Sequence, residues 1–435
     1  MPSTLSVKDK RKESGEPFTD STLDVPTQPE ATNPVPNQIP NGGLLAWLQV
    51  IGAFFLFMNS WGVTNAFGVY QAYYETDLLK NVSASNISWI GSCQACLLLI
   101  IGVITGPIYD AGYFNSLLIA GSFLVVFGMM MTSIATKFWQ ILLAQGLFIG
   151  FGSGCLFIPS VAIVSTYFST KKSFATGIVA SGSSIGGIIY PIIFHQLQPR
   201  IGFGWATRVI AFIMLATLAV SMSVLKARVK PSSKRQLLQL SAFREIPYTM
   251  FGVAEFLGFM GLYIPFFYVQ LYASQKTDMS GTLGFYMLPL LNFASIFGRI
   301  IPNFLADKMG PFNILIPCSL ISAVLAFCWI KINTTAGLII FCIFYGFFSG
   351  TFVSLPPTTV VSLSPDMGVV GVRMGMSFSL AGLGLLIGNP VAGAILGSGS
   401  WLGVQVFCGA SVALAALACI IARISKVGPE LLVKA

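Results

Sequence analysis

Long apolar stretches separated by short polar interruptions fill the chain from residue 44 onward. A helix needs about 20 mostly apolar residues to cross a hydrocarbon core, and each stretch reaches that length. The pattern predicts twelve membrane-spanning helices, called spans one to twelve, at residues 44–72, 88–109, 115–136, 139–168, 174–197, 204–225, 247–272, 280–305, 311–331, 335–362, 371–397 and 400–422.

The longest polar interruption, residues 226–246, divides the spans six and six. The two sets resemble each other, because the segment from Gly146 echoes that from Gly346 and the segment ending at Pro191 echoes that ending at Pro390. Such repeats are typical of transporters whose substrate site lies between two homologous halves. We therefore predict an all-α membrane protein with two pseudo-symmetric six-helix halves. The predicted divisions are a disordered cytoplasmic tail, the N-terminal half, a cytoplasmic linker, the C-terminal half and a second cytoplasmic tail, at residues 1–40, 41–225, 226–246, 247–425 and 426–435.

Composition supports the membrane interpretation. Of the 435 residues, 55% are hydrophobic and 9% are charged, whereas a soluble domain has about a quarter charged residues. The net charge of +9 does not indicate a nucleic-acid partner, because the basic residues lie in short loops between spans. Thirteen of these lie on the side of both predicted termini and six on the other side. The positive-inside rule then places both termini in the cytoplasm, and we expect the plasma membrane.

The sequence lacks the usual signatures of an enzyme, cofactor or metal site. It has one histidine, no zinc-protease motif and no phosphate-binding Gly-Lys-Ser/Thr loop. Its eight cysteines fall in apolar stretches, which favours helix packing over disulfides or zinc. We expect no enzymatic activity, no cofactor and no metal. Three glycosylation sequons fall on the predicted outer side, at Asn81, Asn86 and Asn333.

Two ionisable residues lie deep in predicted spans, Arg299 in span eight and Glu255 in span seven. Such residues are costly in a membrane and are commonly functional. Each lies about eight positions, or ~12 Å of helix, from the predicted cytoplasmic face, so the pair can share one depth. We predict that Arg299 binds a substrate carboxylate or takes part in coupling, with Glu255 as a titratable partner. The alternatives are a fixed ion pair that holds the helices together, or a Glu255 that extends to the cytoplasmic interface.

Uncharged polar residues complete the candidate cavity wall. Buried amides and hydroxyls in a membrane either face a cavity or bond between helices, and the sequence leaves both alternatives open. The aromatic run that contains Tyr263 adds an apolar wall, and Pro265 within it is expected to break the local helix. The polar candidates are Asn59, Asn65, Gln94, Ser181, Tyr190, Asn292 and Asn389.

Short polar motifs follow spans two and eight and echo each other. We interpret them as a gate whose contacts break when one half rocks against the other, the alternative being ordinary turn residues. The gating candidates are Gly106, Asp110, Asp307, Lys308 and Gly310, with Arg373 as a candidate partner of the aspartates. Together with the halves and the basic linker, these motifs resemble the loop signature of the major facilitator superfamily. The resemblance implies twelve helices and alternating access.

Two further segments, Asn41 to Trp47 and Phe297-Gly298-Arg299, resemble the monocarboxylate-transporter family, particularly its fungal members. Animal proton-coupled lactate carriers are expected to have a lysine where this chain has Asn65 and an aspartate where it has Ser295. The resemblance therefore implies a secondary transporter without implying lactate as its substrate. We predict efflux of a weakly acidic secondary metabolite. The alternatives are uptake of a monocarboxylate or vitamin-like anion, with proton coupling left open, and a non-transporting nutrient receptor.

Overall fold

The computed structural model describes residues 41–227, 238–365, 369–430 and 433. The predicted tail at 1–40 lies outside the described residues, as do parts of the predicted linker 226–246 and of the predicted tail 426–435.

All regular structure over the described residues is helical, and the prediction of an all-α membrane protein is confirmed. The helices that are long and apolar enough to cross a membrane account for all twelve predicted spans. We label them α1 (Leu44–Leu78), α2 (Ala84–Tyr109), α3 (Phe114–Thr132), α4 (Phe138–Tyr167), α5 and α6 (the two arms of Lys172–Val224), α7 (Ile246–Lys276), α8 (Gly281–Met309), α9 (Pro311–Lys331), α10 (Thr335–Leu363), α11 (Val370–Gly397) and α12 (Trp401–Val427).

Spans five and six are two helices that meet at a kink within Lys172–Val224, with no loop of several residues between them. The segment changes direction at Gly202, which has φ 77° and separates α5 (residues 172–201) from α6 (residues 203–224). A positive φ strains any residue that carries a Cβ, and glycine takes it freely. A single glycine therefore makes the turn between the two helices that the sequence predicts as a loop.

Several spans are interrupted inside the membrane. In α1 the helix is broken at Ser60 and again at Ala66. In α7 the first part ends at Leu262 and the second begins at Ile264, just before Pro265, as the sequence predicts. Proline removes a backbone donor and cannot continue the preceding hydrogen-bond ladder. The break in α7 places Tyr263 at a bend in the middle of the bundle.

The two sets of six helices contact each other at the end of the bundle where α6 ends and α7 begins, called the linker end below. There α2 meets α11 backbone to backbone: a Cβ on Gly106 would lie 3.1 Å from the Gly371 carbonyl oxygen, and one on Gly375 would lie 3.0 Å from that of Gly102. Close helix approach of this kind requires small residues.

Contacts between the two sets also form at the opposite end of the bundle. The His195 ring of α5 stacks on the Phe285 ring of α8 with centroids 4.0 Å apart, and Phe67 of α1 packs on Phe267 of α7 at 5.5 Å. The helices are therefore in contact both at the linker end and at the opposite end, and the candidate residues of the middle are enclosed between them.

Candidate functional site

Arg299 lies in the middle of α8 and is fully buried. Its Nη1 donates to the Ser183 hydroxyl at 2.5 Å and to the Ala180 carbonyl at 3.0 Å, both on α5, and its Nε donates to the Ser295 hydroxyl at 3.1 Å. Its Nη2 has no hydrogen-bond partner among the described residues. The guanidinium therefore joins the two sets of helices through neutral groups and keeps one nitrogen unsatisfied.

Aromatic rings pack close to this guanidinium. The Tyr263 hydroxyl lies close enough to the Arg299 guanidinium for a weak hydrogen-bonding interaction, but the two groups do not reach full hydrogen-bond geometry. The Trp61 ring of α1 stacks on Tyr263 with centroids 5.7 Å apart. The Trp61 Nε1 is buried and also lacks a partner among the described atoms. Phe157 and Phe259 pack on Trp61 at 6.0 and 6.1 Å.

Two amides lie close to the same point of α5. A Cβ on Gly187 would lie 2.6 Å from the Asn292 Oδ1 and 2.9 Å from the Asn65 Cβ, so both side chains converge on this glycine. Asn65 donates to the Ser183 carbonyl at 3.3 Å, and Asn292 donates to the Leu288 carbonyl at 3.1 Å. Neither side-chain oxygen has a partner in the described part of the chain.

These residues form what we call the central site: Trp61, Asn65, Ser183, Tyr263, Asn292, Ser295 and Arg299. All of them are buried, and they come from α1, α5, α7 and α8. Buried polar atoms without partners are uncommon in folded proteins, because each one costs about 1–3 kcal/mol. Several of them close together are typical of a place where a ligand supplies the missing partners.

Glu255 does not join this site. It is fully buried on α7, and its electrostatic neighbours are Cys419 of α12 and Tyr248. No ion pair between Glu255 and Arg299 occurs among the described residues, so the fixed pair that the sequence left open as an alternative is not found. Neither carboxyl oxygen has a hydrogen-bond partner in the described ranges.

The other polar candidates divide into bonded and unbonded groups. Asn59 is bonded through both ends of its amide, because it donates to Thr217 at 2.8 Å and accepts from the Tyr190 hydroxyl at 2.8 Å. These contacts join α1, α5 and α6, so Asn59 and Tyr190 bond between helices. The Ser181 hydroxyl donates to the Ile178 carbonyl of its own helix.

Gln94 and Asn389 are buried but incompletely bonded. Gln94 donates to the Thr64 hydroxyl at 3.2 Å, and its Oε1 has no partner in the described ranges. Both side-chain polar atoms of Asn389 lack partners over the same residues. The two residues are on α2 and α11, apart from the cluster around Arg299, and their role as cavity residues stays a prediction.

At the linker end, Asp307 connects α8 to the start of α5. Its carboxylate accepts from the backbone nitrogens of Ser173 and Phe174, each at 2.9 Å. A carboxylate at a helix N-terminus accepts hydrogen bonds from free N–H groups and interacts favourably with the positive end of the helix dipole. Gly310 makes the following turn with φ 97°, and Lys308 is exposed with its ammonium 4.7 Å from the Phe304 ring centroid.

Arg373 is buried at the start of α11, where it pairs with a residue that the sequence analysis did not consider. Its guanidinium makes two hydrogen bonds to Glu245, one of them at 2.8 Å, and donates to the Leu363 carbonyl at 2.8 Å and to Gln239 at 3.1 Å. The ion pair described for Arg373 is thus with the end of the linker and not with Asp307. Gly106 lies at the close contact of α2 and α11, and the Asp110 side chain lies outside the described atoms.

The three sequon asparagines are exposed. Asn81 lies between α1 and α2, Asn86 in the first turn of α2, and Asn333 between α9 and α10. Their glycosylation stays a prediction.

The family profile described as Major Facilitator Superfamily matches residues 50–381 of this chain. The chain belongs to the Major Facilitator Superfamily. Proteins of this superfamily are transporters and not enzymes, so the prediction of a transporter without enzymatic activity is confirmed.

Fungal relatives of this superfamily transporter cover most of its length. The MFS-type transporter dbaD of Emericella nidulans is 50% identical over 372 residues, or 85% of this chain and 84% of the relative. The aspyridones efflux protein apdF of the same fungus is 39% identical over 393 residues, or 90% of this chain and 79% of the relative.

Solved structures agree in fold. The human organic anion transporter MFSD10 (TETRAN) superposes with a TM-score of 0.69 at 15% identity, over 88% of this chain and 100% of that one. The Escherichia coli fucose:proton symporter FucP (N162A) has a TM-score of 0.65 at 16% identity, over 88% and 98%. At these identities the likeness concerns the fold alone, and it supports the twelve-helix arrangement.

Three residues of the central site were not predicted from the sequence. Ser295 was seen only as a substitution, although residues four apart on a helix are neighbours and the spacing to Arg299 signals the contact. Ser183 is 116 residues from Arg299 in the chain, and no local pattern joins them. Trp61 carries no signal of its own in a chain with 13% aromatic residues.

Proposed function

We propose that this transporter exports an amphipathic, weakly acidic secondary metabolite by alternating access, and that the cargo binds at the central site. One observation carries the proposal: a fully buried arginine with an unsatisfied Nη2 faces an aromatic wall, with no carboxylate paired to it among the described residues.

The charge of Arg299 favours an anionic group on the cargo. A buried charge is costly until a counter-charge and hydrogen bonds compensate it. The guanidinium donors are arranged to take a carboxylate or an enolate, and such charge-assisted bonds are stronger than neutral ones. The Ser183 and Ser295 hydroxyls orient the guanidinium without neutralising it.

The aromatic wall favours a flat and largely apolar body on the cargo. Trp61 and Tyr263 form a stacked pair, and Phe157 and Phe259 extend the apolar surface around it. Small-molecule sites are mostly apolar, with a few polar groups that fix orientation. The Trp61 Nε1 and the Tyr263 hydroxyl supply such groups, as do the free oxygens of Asn65 and Asn292.

The export direction is supported by the relative named as an aspyridones efflux protein. Uptake of a small monocarboxylate is the second candidate, favoured by the same free nitrogen of Arg299. At positions 65 and 295, however, the site has neutral side chains where animal proton-coupled lactate carriers are expected to have charged ones. That difference favours the larger and more apolar cargo.

We further propose that Glu255 is the proton-binding residue if transport is coupled to protons. Its carboxyl is buried without a partner in the described ranges, a state that suits an uncharged group. The gating role of Asp307 and its neighbours belongs to the same proposal, since the contacts between α5 and α8 at the linker end must break for that end to open.

The orientation in the membrane is part of the proposal, with both termini cytoplasmic and the plasma membrane as location. Single cysteines at Ser83, Ser233 and Ser364, labelled in intact cells with an impermeant reagent, test it. We expect labelling at position 83 alone. Labelling of position 233 in sealed cells would show that the predicted orientation in the membrane is wrong.

The function is tested with purified protein reconstituted in proteoliposomes. Uptake is measured for a panel of weakly acidic aromatic metabolites and, in parallel, for lactate and pyruvate, with and without a proton gradient. We expect saturable transport of an aromatic acid that Arg299→Ala abolishes. Transport of the short monocarboxylates alone would contradict the proposal and support the second candidate, and saturable binding without any transport would support a receptor.

A further inference from the structure

A partly open cavity lies at the end of the bundle opposite the linker end. It is a cavity of about 230 Å³ between α1, α7 and the first turn of α8. Gln71 and Glu75 line it from α1, and Tyr268 and Gln270 line it from α7. No residue of the central site lines it, so it is a separate feature of the molecule.

Three side chains that line this cavity carry acceptor oxygens, and the lining hydroxyls of Thr76, Ser274 and Ser280 are bonded to backbone groups. Gln71 donates its Nε2 to the Glu75 Oε1 at 2.9 Å, which fixes the amide and leaves its Oε1 free. Gln71 is 4% exposed, and that oxygen has no partner among the described residues. The Gln270 Oε1, on the facing helix, lacks a partner over the same residues. The two amide oxygens lack donors among the described residues, and the Glu75 carboxylate already accepts one bond, from Gln71.

Glu75 belongs to a π-helical turn, Tyr74–Leu78, at the end of α1. Such turns are rare and frequently occur at functional sites. This one is anchored by the buried Tyr74 hydroxyl, which donates to the Gln145 Oε1 of α4 at 2.6 Å. Asp77, in the same turn, is exposed and does not line the cavity. The chain thus offers two carboxylates of the same turn, only one of which faces the cavity.

We propose that this cavity binds a primary ammonium group, with Glu75 as its counter-ion and Gln71 and Gln270 as its further acceptors. An ammonium group has three donors and no acceptor, which matches three acceptor oxygens of which one is charged. Pockets for drug-sized ligands are larger, about 300–1,000 Å³, so the site takes a small amine. The inference goes beyond the proposed function, because it assigns a second ligand class to a second site.

The test measures binding and not transport, so it stays interpretable if no cargo is ever transported. Full-length protein in lipid nanodiscs is titrated with n-propylammonium, followed by saturation-transfer NMR. Tetramethylammonium, which has charge but no donors, and 1-propanol, which has a donor but no charge, are the comparison probes. We expect saturable binding of n-propylammonium, with both comparison probes at least about tenfold weaker. Equal binding of tetramethylammonium, or displacement by sodium, would overturn the proposal.

Two variants and one control assign the site. Glu75→Gln is expected to weaken n-propylammonium binding at least about tenfold, because a charge-assisted bond becomes a neutral one. Gln71→Leu removes the free oxygen independently and is expected to weaken binding about threefold or more. Asp77→Asn, which changes the exposed carboxylate of the same turn, is expected to leave binding within twofold. If n-propylammonium binds both monodisperse variants as tightly as the unaltered protein, the site assignment is wrong.

Discussion

Arg299 and Arg373 are both buried, and their surroundings differ in one respect. Arg373 is matched by the Glu245 carboxylate, by Gln239 and by a backbone carbonyl, so its charge and its donors are used within the protein. Arg299 contacts hydroxyls and a carbonyl, and it keeps one nitrogen free. A buried arginine that the protein itself neutralises stabilises one arrangement of helices. A buried arginine without a counter-charge from the protein is suited to bind an anionic group.

The same contrast holds between the linker end and the middle of the bundle. At the linker end, Asp307 closes the contact of α8 with α5 through two backbone bonds. In the middle, Trp61, Tyr263, Asn65 and Asn292 all retain polar atoms without partners among the described residues. Substitutions at the linker end should therefore change the stability or the rate of exchange between conformations, whereas substitutions in the middle should change affinity.

The largest effect is expected for Arg299. Removing one member of a buried charge pair costs about 2–5 kcal/mol, so Arg299→Ala should weaken cargo binding at least about 30-fold. Arg299→Lys should recover little, because a lysine cannot reproduce the bidentate geometry. Arg208→Ala is the control, since Arg208 also donates to a serine, Ser133, but lies away from the site. Cargo affinity is measured for both variants as folded protein. An equal loss of affinity in Arg299→Ala and Arg208→Ala would show that Arg299 has no specific role in cargo binding.

Glu245→Gln should lower the stability of the protein and leave its cargo affinity unchanged. It leaves the buried Arg373 without its counter-charge, which is expected to lower the free energy of unfolding by about 1–3 kcal/mol. Thermal unfolding in detergent measures this change. The exposed acid Asp278 provides the control Asp278→Asn, for which no change is expected. A large loss of cargo affinity in stable Glu245→Gln protein would place this pair in the binding site.

Asp307→Asn should lower the rate of transport and spare binding. The amide keeps one acceptor for the start of α5, so the contact weakens without disappearing. We expect a transport rate about tenfold lower and a cargo affinity within about threefold of the original value. Loss of equilibrium binding in folded protein would show that Asp307 belongs to the cargo site.

Trp61→Phe should have a moderate effect on affinity. It preserves a stacked ring against Tyr263 and removes the buried Nε1 donor. If the cargo accepts a bond from that donor, the loss is about 1 kcal/mol, or about fivefold in affinity. An affinity equal to that of the unaltered protein would show that the cargo leaves Trp61 Nε1 unbonded.

The smallest effect on affinity is expected for Tyr190→Phe. The Tyr190 hydroxyl donates to Asn59, which is also bonded to Thr217, so this network is satisfied inside the protein. We expect an affinity within twofold and a free energy of unfolding about 1 kcal/mol lower. A strong loss of cargo affinity would show that Asn59 and Tyr190 line the cargo cavity.

The span pattern was readable from the sequence because a membrane imposes it locally: every span needs its own run of apolar residues. The importance of Arg299 was readable for the same reason, since a charge in such a run is conspicuous. The turn at Gly202 was not readable, because proline and glycine also mark loops, and only the backbone shows that two helices meet directly at this residue.

The sequence by itself determined the fold class, the twelve spans and the buried position of Arg299, all properties of short segments in a known solvent. Tertiary structure alone decided which partner each polar group received. Glu255 and Arg299 have compatible depths along the chain, yet the rotation of α7 turns Glu255 toward α12 while Arg299 reaches α5. Helix rotation and packing depend on contacts between residues more than a hundred positions apart, such as Arg299 with Ser183, and periodicity within one helix does not encode them.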